Sequence, residues 1–284
     1  MTSPKTTLVT GGSAGIGRAV AAELTSRGHR VLTAGRTAEL CADLSLMRET
    51  ARLADEVTAR VERLDAIVLC AGAFAGAPEW TDEGFERTLA LNYLSRHLLI
   101  RRLLPLVKAA PAGRIVLVAN AGKYPDTLDL DDLQMRRGGR GLRVSGRTQF
   151  ANDALAVDLM EELRPTRVEV ACVFPGLVAT NVFRDARGVP APVRAMAAAV
   201  QRLVGAKPAV AARPIADLAD DPGATAGGGF VGPRLRRLEI PARVRDEKRR
   251  AALRTATEAL TRPWSGSASP VGAPFGDHDD ARQG

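Results

Sequence analysis

Apolar runs and amphipathic segments alternate along most of the chain. Thr6 to Thr10 is a short β-rich run, and the alanine-rich stretch Arg18 to Ser26 carries one apolar face, so the pattern predicts a strand followed by a helix. The same alternation continues. Strands are predicted at Arg30 to Ala34, Asp65 to Cys70, Arg114 to Ala119, Arg167 to Phe174 and Gly227 to Val231. Helices are predicted at Leu46 to Val61, Asp82 to Lys108, Ser145 to Leu163 and Asp246 to Leu260. The apolar run of Asp65 to Cys70 is continuous, as expected for a parallel strand covered on both faces. Strand–helix alternation predicts an α/β domain: a doubly wound parallel sheet flanked by helices.

Some stretches depart from the pattern. Only six residues separate Arg36 from Asp43, too few for a crossover helix, so a shortened second crossover and a vestigial third strand around Cys41 to Asp43 are expected. Pro105 should kink the helix that contains it. The polar, Gly-rich loop from Lys123 to Gly141 is long enough to be functional. Before the last predicted strand, an apolar-striped helix around Val193 to Val204 stands among Pro190, Pro192 and Pro208, which suggests a helical lid over about 181–218. The chain reads as one domain, 1–263, with a disordered tail at 264–284 rich in Pro, Gly, Ser and Asp.

The first strand ends in a chemically informative turn, Thr10-Gly11-Gly12-Ser13-Ala14-Gly15-Ile16-Gly17. Strand, spaced glycines and helix make a phosphate cradle, in which backbone N–H groups and the helix dipole favour an anion. A dinucleotide site places Asp or Glu about 20 residues further on for the ribose 2′-hydroxyl. Here that position, after the second strand, holds Gly35-Arg36-Thr37. Arginine suits a 2′-phosphate, so the expected cofactor is NADP(H).

Composition narrows the setting. The 284-residue chain is 45% apolar, with no apolar run near the ~20 residues of a membrane span, and no signal peptide is read ahead of Thr6. Cys41, Cys70 and Cys172 are odd in number and lack ligand spacing, so reduced core cysteines, no metal and a cytoplasmic location are expected. Arginine supplies most of the +8 net charge. The densest patch, Arg136, Arg137, Arg140, Arg143 and Arg147, has no aromatic interleaving and reads as a solvated or substrate-facing loop; no nucleic-acid partner is expected.

Thr10-Gly11-xxx-Gly15-Ile16-Gly17, Asp43-Leu44, Ala71-Gly72, Asn92 and Pro175-Gly176-Leu177-Val178-Ala179-Thr180 occur in order. With them the chain resembles the short-chain dehydrogenase/reductase family over roughly residues 5–260. Leu91-Asn92-Tyr93-Leu94, Asp129 to Leu133 and Phe150-Ala151-Asn152 are closest to its retinol-dehydrogenase-like branch. The resemblance implies a Rossmann fold, a nicotinamide cofactor and a dimer or tetramer. It also implies cofactor contacts from Gly11, Ser13, Ala14, Gly15, Ile16, Gly17, Arg36, Thr37, Asp43, Leu44, Ala71, Gly72, Pro175, Gly176, Val178 and Thr180.

The family works through Asn, Ser and a Tyr-x-x-x-Lys pair. Asn92 matches, but the serine position falls on Asn120, the tyrosine on Ser145 and the lysine on Gln149. Ser145 can donate a hydrogen bond but is too weak an acid to replace tyrosine, and Gln149 does not titrate. Among other donors, His97 should face away from Asn92, while Tyr124 could reach the site. Two readings follow. One is an atypical NADPH-dependent ketoreductase for an aromatic polyketide-type (angucyclinone-like) secondary metabolite, with Asn92, Asn120 and Ser145 at the reacting centre and Gln149 at the cofactor. Its proton would come from water or from a hydroxyl beside the substrate's own carbonyl. The other is an NADP-binding sensor or a non-redox cyclase or lyase.

Overall fold

The computed structural model describes residues 4–124, 126–180, 182, 186–221, 223–224 and 228–266. Eight strands are found among them: β1 (Thr6–Thr10), β2 (Arg30–Gly35), β3 (Leu40–Cys41), β4 (Ala66–Leu69), β5 (Arg114–Val118), β6 (Glu169–Val173), β7 (Gly229–Val231) and β8 (Arg237–Leu238). They form one sheet in the order β3-β2-β1-β4-β5-β6-β7-β8. The pairings are parallel except for β7–β8. The sheet is the doubly wound Rossmann type expected, and its strand order reverses between β1 and β4. A ligand crevice opens at that switch point, beyond the strands' carboxyl ends. The strand predicted to be last, β7, is followed by the antiparallel edge strand β8.

Two apolar layers sandwich the sheet. On one face α1 (Gly15–Ser26) buries Val20, Ala21 and Leu24, and α7 (Pro208–Asp220) buries Ala212, Ile215, Ala216 and Ala219. On the other face lie α2 (Met47–Arg60), α4 (Ser95–Lys108) and α5 (Leu142–Leu163), over Leu8, Ile67, Leu69, Ile115 and Leu117. The second crossover is a bare turn. β2 ends at Gly35, β3 begins at Leu40, and Ala42 N donates back to Gly35 O. With β3 only two residues long at the sheet edge, Leu40 points inward and Cys41 is exposed, so Cys41 is not the core residue expected.

Two helical predictions change. The helix expected from Asp82 begins later, at α3 (Arg87–Leu89), where the Glu86 carboxylate accepts from Leu89 N as an N-cap. It then passes through a π turn, Ala90–Leu94, before α4. The expected lid is two helices of different kinds. α6 (Ala191–Val204) is mostly exposed, whereas α7 is a core helix packed beside α1. Pro190, Pro192 and Pro208 stand at the starts of these helices, where a missing N–H costs nothing, rather than at hinges. Residues 181 and 183–185 of that range lie outside the described residues. α8 (Glu247–Thr261) closes the described chain, and a 3-10 turn, Arg262–Trp264, sets Trp264 edge-on against Phe85. Trp264 was expected to begin the tail but packs on the domain; residues 267–284 of the expected tail lie outside the described residues. No described helix is long and apolar enough to cross a membrane.

Candidate active site

The glycine turn is built so that side chains cannot enter it. A Cβ on Gly11 (φ +69°) would stand 2.9 Å from Ala71 N, and one on Gly17 only 2.3 Å from Gly11 O. The N-cap of α1, Ala14, is extended and has no side-chain cap, and the helix's first turn carries no acid. Its leading N–H groups are left to an anion. The turn also collects distant segments. Ala71 N donates to Thr10 Oγ1 (3.2 Å), and the Thr180 side chain lies 3.3 Å from the Cβ position of Gly15 (φ +53°). Ser13 Oγ lies 3.5 Å from that of Gly35. Gly35 leads into Arg36 and Thr37, both exposed at the end of β2. The Asp43 carboxylate accepts from Ser45 N and Oγ at 2.9 and 2.7 Å, while the Leu44 side chain is buried in the core. Ile16 packs on the α1-side core, Gly176 takes φ +81°, and Val178 is buried.

A second group of expected residues lies on α5 and the π turn and is hydrogen-bonded to the 71–75 segment beside the cradle. Asn92 sits in that turn, a backbone irregularity typical of functional positions. Its Oδ1 accepts from Ala73 N (2.8 Å), and its Nδ2 donates to Ala73 O (2.9 Å) and Thr148 Oγ1 (3.3 Å). On α5, Ser145 Oγ accepts from Ala75 N at 3.4 Å, which leaves its hydroxyl hydrogen free to donate. One turn along, Gln149 Oε1 is buried with no hydrogen-bond partner among the described residues; Asn120 Nδ2, just past β5, is equally orphaned. Buried donors and acceptors without partners are costly, so both fit a ligand that supplies the missing bonds.

Three further residues support this arrangement; the sequence named only Asn152, as part of a branch motif and without this role. Thr148 receives Asn92, and Asn152 Nδ2 donates to Asn92 O (2.8 Å) and Thr148 O (2.7 Å). Arg96 donates to Ala71 O (2.8 Å) and Asn152 Oδ1 (3.3 Å). Burial pulls the Arg96 guanidinium down to about 10, and burial pushes the nearby Cys70 thiol up to about 12, an effect Arg96 opposes. The i, i+4 spacings Asn92–Arg96 and Thr148–Asn152 were the available signal.

Other expected residues are placed elsewhere. Arg147 is not part of a solvated patch: it lies on α5, buried, and pairs with buried Glu86. The loop arginines are partly engaged, Arg136 with Gly84 O and over the Trp80 ring, Arg137 with Asp131 O. His97 is buried on α4, and burial, with Arg101 nearby, holds its imidazole down to about 4. Tyr93 turns to α8, where its hydroxyl meets Thr257 Oγ1 at 2.8 Å. Tyr124 is half-buried, its phenol ionisation pushed up by burial, and its carbonyl accepts from Arg243 at 3.0 Å. Beneath that turn, Asp153 Oδ2 accepts from Gly122 N (2.8 Å) and Cys172 Sγ donates to Oδ1 (3.4 Å). Burial lifts the Asp153 carboxyl to about 6.

A family model described as short chain dehydrogenase matches residues 5–127, the stretch holding the cradle, Ala71-Gly72 and Asn92. Retinol dehydrogenase 14 of Homo sapiens is 31% identical over 214 residues, covering 63% of this chain and 63% of that protein. Over residues 5–127 the chain is similar to the short-chain dehydrogenases, and its sheet has their Rossmann-type fold. It spans 63% of the length of the retinol dehydrogenase 14 sequences it matches. Superfamily members also share the architecture. The 3-alpha-hydroxysteroid dehydrogenase from Pseudomonas sp. B-0831, complexed with NADH, superposes with a TM-score of 0.67 at 22% identity, over 80% of this chain and 95% of that one. A short chain dehydrogenase from Shigella flexneri 2a str. 301, complexed with NADP, gives 0.59 at 22% identity over the same shares.

Proposed function

We propose that this chain is a cytoplasmic NADP(H)-dependent reductase of a carbonyl on an aromatic, polyketide-type ketone, angucyclinone-like in shape, that works without a tyrosine–lysine acid. One observation carries the reading. An intact glycine cradle with an arginine at the ribose corner faces a buried wall in which Asn120 Nδ2, Gln149 Oε1 and the Ser145 hydroxyl hydrogen are unspent.

The residues present fit a phosphorylated dinucleotide. The N–H groups of Gly15 to Gly17 suit the pyrophosphate, and exposed Arg36, next in the chain to the Gly35 that faces Ser13, suits a 2′-phosphate. Related folds hold NADH or NADP, so the choice rests on Arg36. Gln149 Oε1 suits a ribose hydroxyl, and Thr180 and Gly176 would hold the cofactor's nicotinamide half. When bound, the reduced nicotinamide supplies hydride to the carbonyl carbon.

The chain's own residues hold the ketone for that transfer. Asn92 spends both amide hydrogens, on Ala73 O and Thr148 Oγ1, and fixes the 73–75 loop, which in turn presents Ala75 N to Ser145. Asn120 Nδ2 donates to the carbonyl oxygen and stabilises the charge that develops there. The proton then passes to that oxygen from a hydroxyl beside the carbonyl, or from water. An apolar substrate agrees with the exposed stripe Val193, Met196, Val200 and Leu203 on α6, and with the retinol for which a relative is named.

The test is to follow loss of reduced-cofactor absorbance with NADPH and a panel of aromatic ketones, with and without a hydroxyl next to the carbonyl. Turnover is expected, confined to the hydroxylated ketones where the neighbouring hydroxyl is the donor and extending to the others where water is. Tight NADPH binding with no turnover on any ketone would instead assign the fold to sensing or to a non-redox cyclisation.

A further inference from the structure

α6 touches the rest of the protein through a narrow grip. Of its 14 residues only Gln201 is buried. Val193, Met196, Val200, Leu203 and Val204 are all more than 40% exposed, which is unusual for an apolar stripe on a helix. The Gln201 side chain reaches inward instead. Its Nε2 donates to Val178 O at 2.6 Å and to Thr180 Oγ1 at 3.2 Å. Just beyond the helix, Ala206 N donates to Leu177 O and Ala179 N donates to Ala206 O, both at 2.9 Å. Gly205 permits this approach, because a Cβ there would lie 2.3 Å from Gln201 O and 2.8 Å from Ala179 N.

Thr180 rests its methyl, Cγ2, 3.3 Å from the Cβ position of Gly15 in the cradle, and its hydroxyl meets Gln201. A hydroxyl that accepts from an amide keeps its own hydrogen to give away. Gln201 therefore fixes Thr180 as a donor, to be received by an acceptor on whatever fills the cradle. The second polar atom of Gln201, Oε1, is buried with no partner among the described residues. Gln201 thus keeps one unspent buried acceptor next to the amide that holds Val178 and Thr180.

We infer that Gln201 is a positioning residue that couples the bound dinucleotide to α6. It holds Thr180 with its methyl against the cradle and its hydroxyl hydrogen left to donate, and the ligand, by receiving that donor, secures the buried side chain that anchors the helix. The inference rests on the dinucleotide-binding reading above. Coupling of this kind is reciprocal: if Gln201 tightens the ligand by some factor, the ligand stabilises the docked helix by the same factor.

The experiment combines NADPH titration, read by cofactor fluorescence, with amide hydrogen exchange over residues 191–204, in the full chain and in Gln201→Leu, Thr180→Val and the double variant. Wild type should bind NADPH and slow exchange across α6 about tenfold. Gln201→Leu should weaken NADPH about tenfold and abolish the α6 response while protection of the 8–20 segment persists. The double variant should be no weaker than the worse single one, because the two side chains act as one unit. If Gln201→Leu fails to fold, Thr180→Val alone reads the same coupling at α6. Wild type that binds NADPH with no change at α6, or losses that simply add, overturns the inference. Wild type that does not bind NADPH overturns the dinucleotide reading itself, a distinguishable failure.

Discussion

Glu86 and Arg147 pair with 0% and 1% of their side chains exposed, tying the start of α3 to α5. Glu86 Oε2 also accepts from Leu89 N and Thr88 Oγ1, both at 2.7 Å, so one carboxylate oxygen caps the helix leading to Asn92 and holds the helix carrying Ser145. Burial pulls the Arg147 guanidinium down, an effect that Glu86 opposes. Removing one partner strands the other charge in the core. Arg147→Ala should therefore destabilise the fold by about 3–5 kcal/mol. Coupling Arg147→Met with Glu86→Gln, which keeps the cap acceptor and removes both charges, should recover more than half of that loss. Urea unfolding with an unchanged m-value checks both.

Arg36 is exposed at the end of β2, next to the Ser13–Gly35 corner. Charge-assisted contacts to a phosphate contribute about 1.5–3 kcal/mol each, roughly a tenfold to hundredfold change in affinity. Arg36→Asp should weaken NADPH by about a hundredfold and change NADH by less than about threefold. Equal weakening of the two in fluorescence titrations detaches Arg36 from the 2′-phosphate.

The sheet and the cradle were legible because both are written in local sequence. Alternating strand and helix periods predicted β1, β2 and β4 to β7 within a few residues, and the spacing of Gly11, Gly15 and Gly17 located the turn. What stayed hidden depends on tertiary contact. A π turn leaves no mark in a 3.6-residue period, so Asn92 could be named but not its geometry. Arg147 lay in an arginine-rich stretch, and only the fold shows that it turns inward to Glu86 while Arg136 and Arg137 stay at the surface. Pro190 and Pro208 read as the marks of a lid, but proline also suits the first turn of a helix. Packing against α1 decides for α7.

Ser145 and Asn120 give a sharp contrast. Where the substrate's own hydroxyl or water delivers the proton, Ser145→Ala should lower kcat by no more than about threefold. Asn120 is the unpaired donor at the carbonyl. Asn120→Ala should lower kcat/KM by about a hundredfold or more, the loss typical of one donor aimed at developing negative charge. Steady-state kinetics on a hydroxylated aromatic ketone reads both. A thousandfold loss in Ser145→Ala would make that hydroxyl the acid itself.

Asp153 and His97 set opposing pH dependences in one window. Burial raises the Asp153 carboxyl from 3.8 to about 6, so the folded protein binds that proton more tightly than the unfolded chain does. Its contribution to stability is fully present below about pH 4 and is lost as pH rises through about 6. His97 is lowered from 6.5 to about 4, by burial first and then by Arg101, so the unfolded chain takes up its proton first. That contribution is present above about pH 6.5 and is lost as pH falls toward about 4. Each is worth on the order of 2–3 kcal/mol. The two slopes nearly cancel between pH 4 and 6.5. Asp153→Asn, which can still accept from Gly122 N, should expose the His97 slope, so its thermal midpoint falls steeply on acidification relative to wild type. His97→Leu should expose the Asp153 slope, and its midpoint should rise over the same interval. Thermal melts at half-unit steps from pH 4 to 7 read both slopes. If the two variants run parallel to wild type, neither buried group is titrating between the folded and unfolded states in that window.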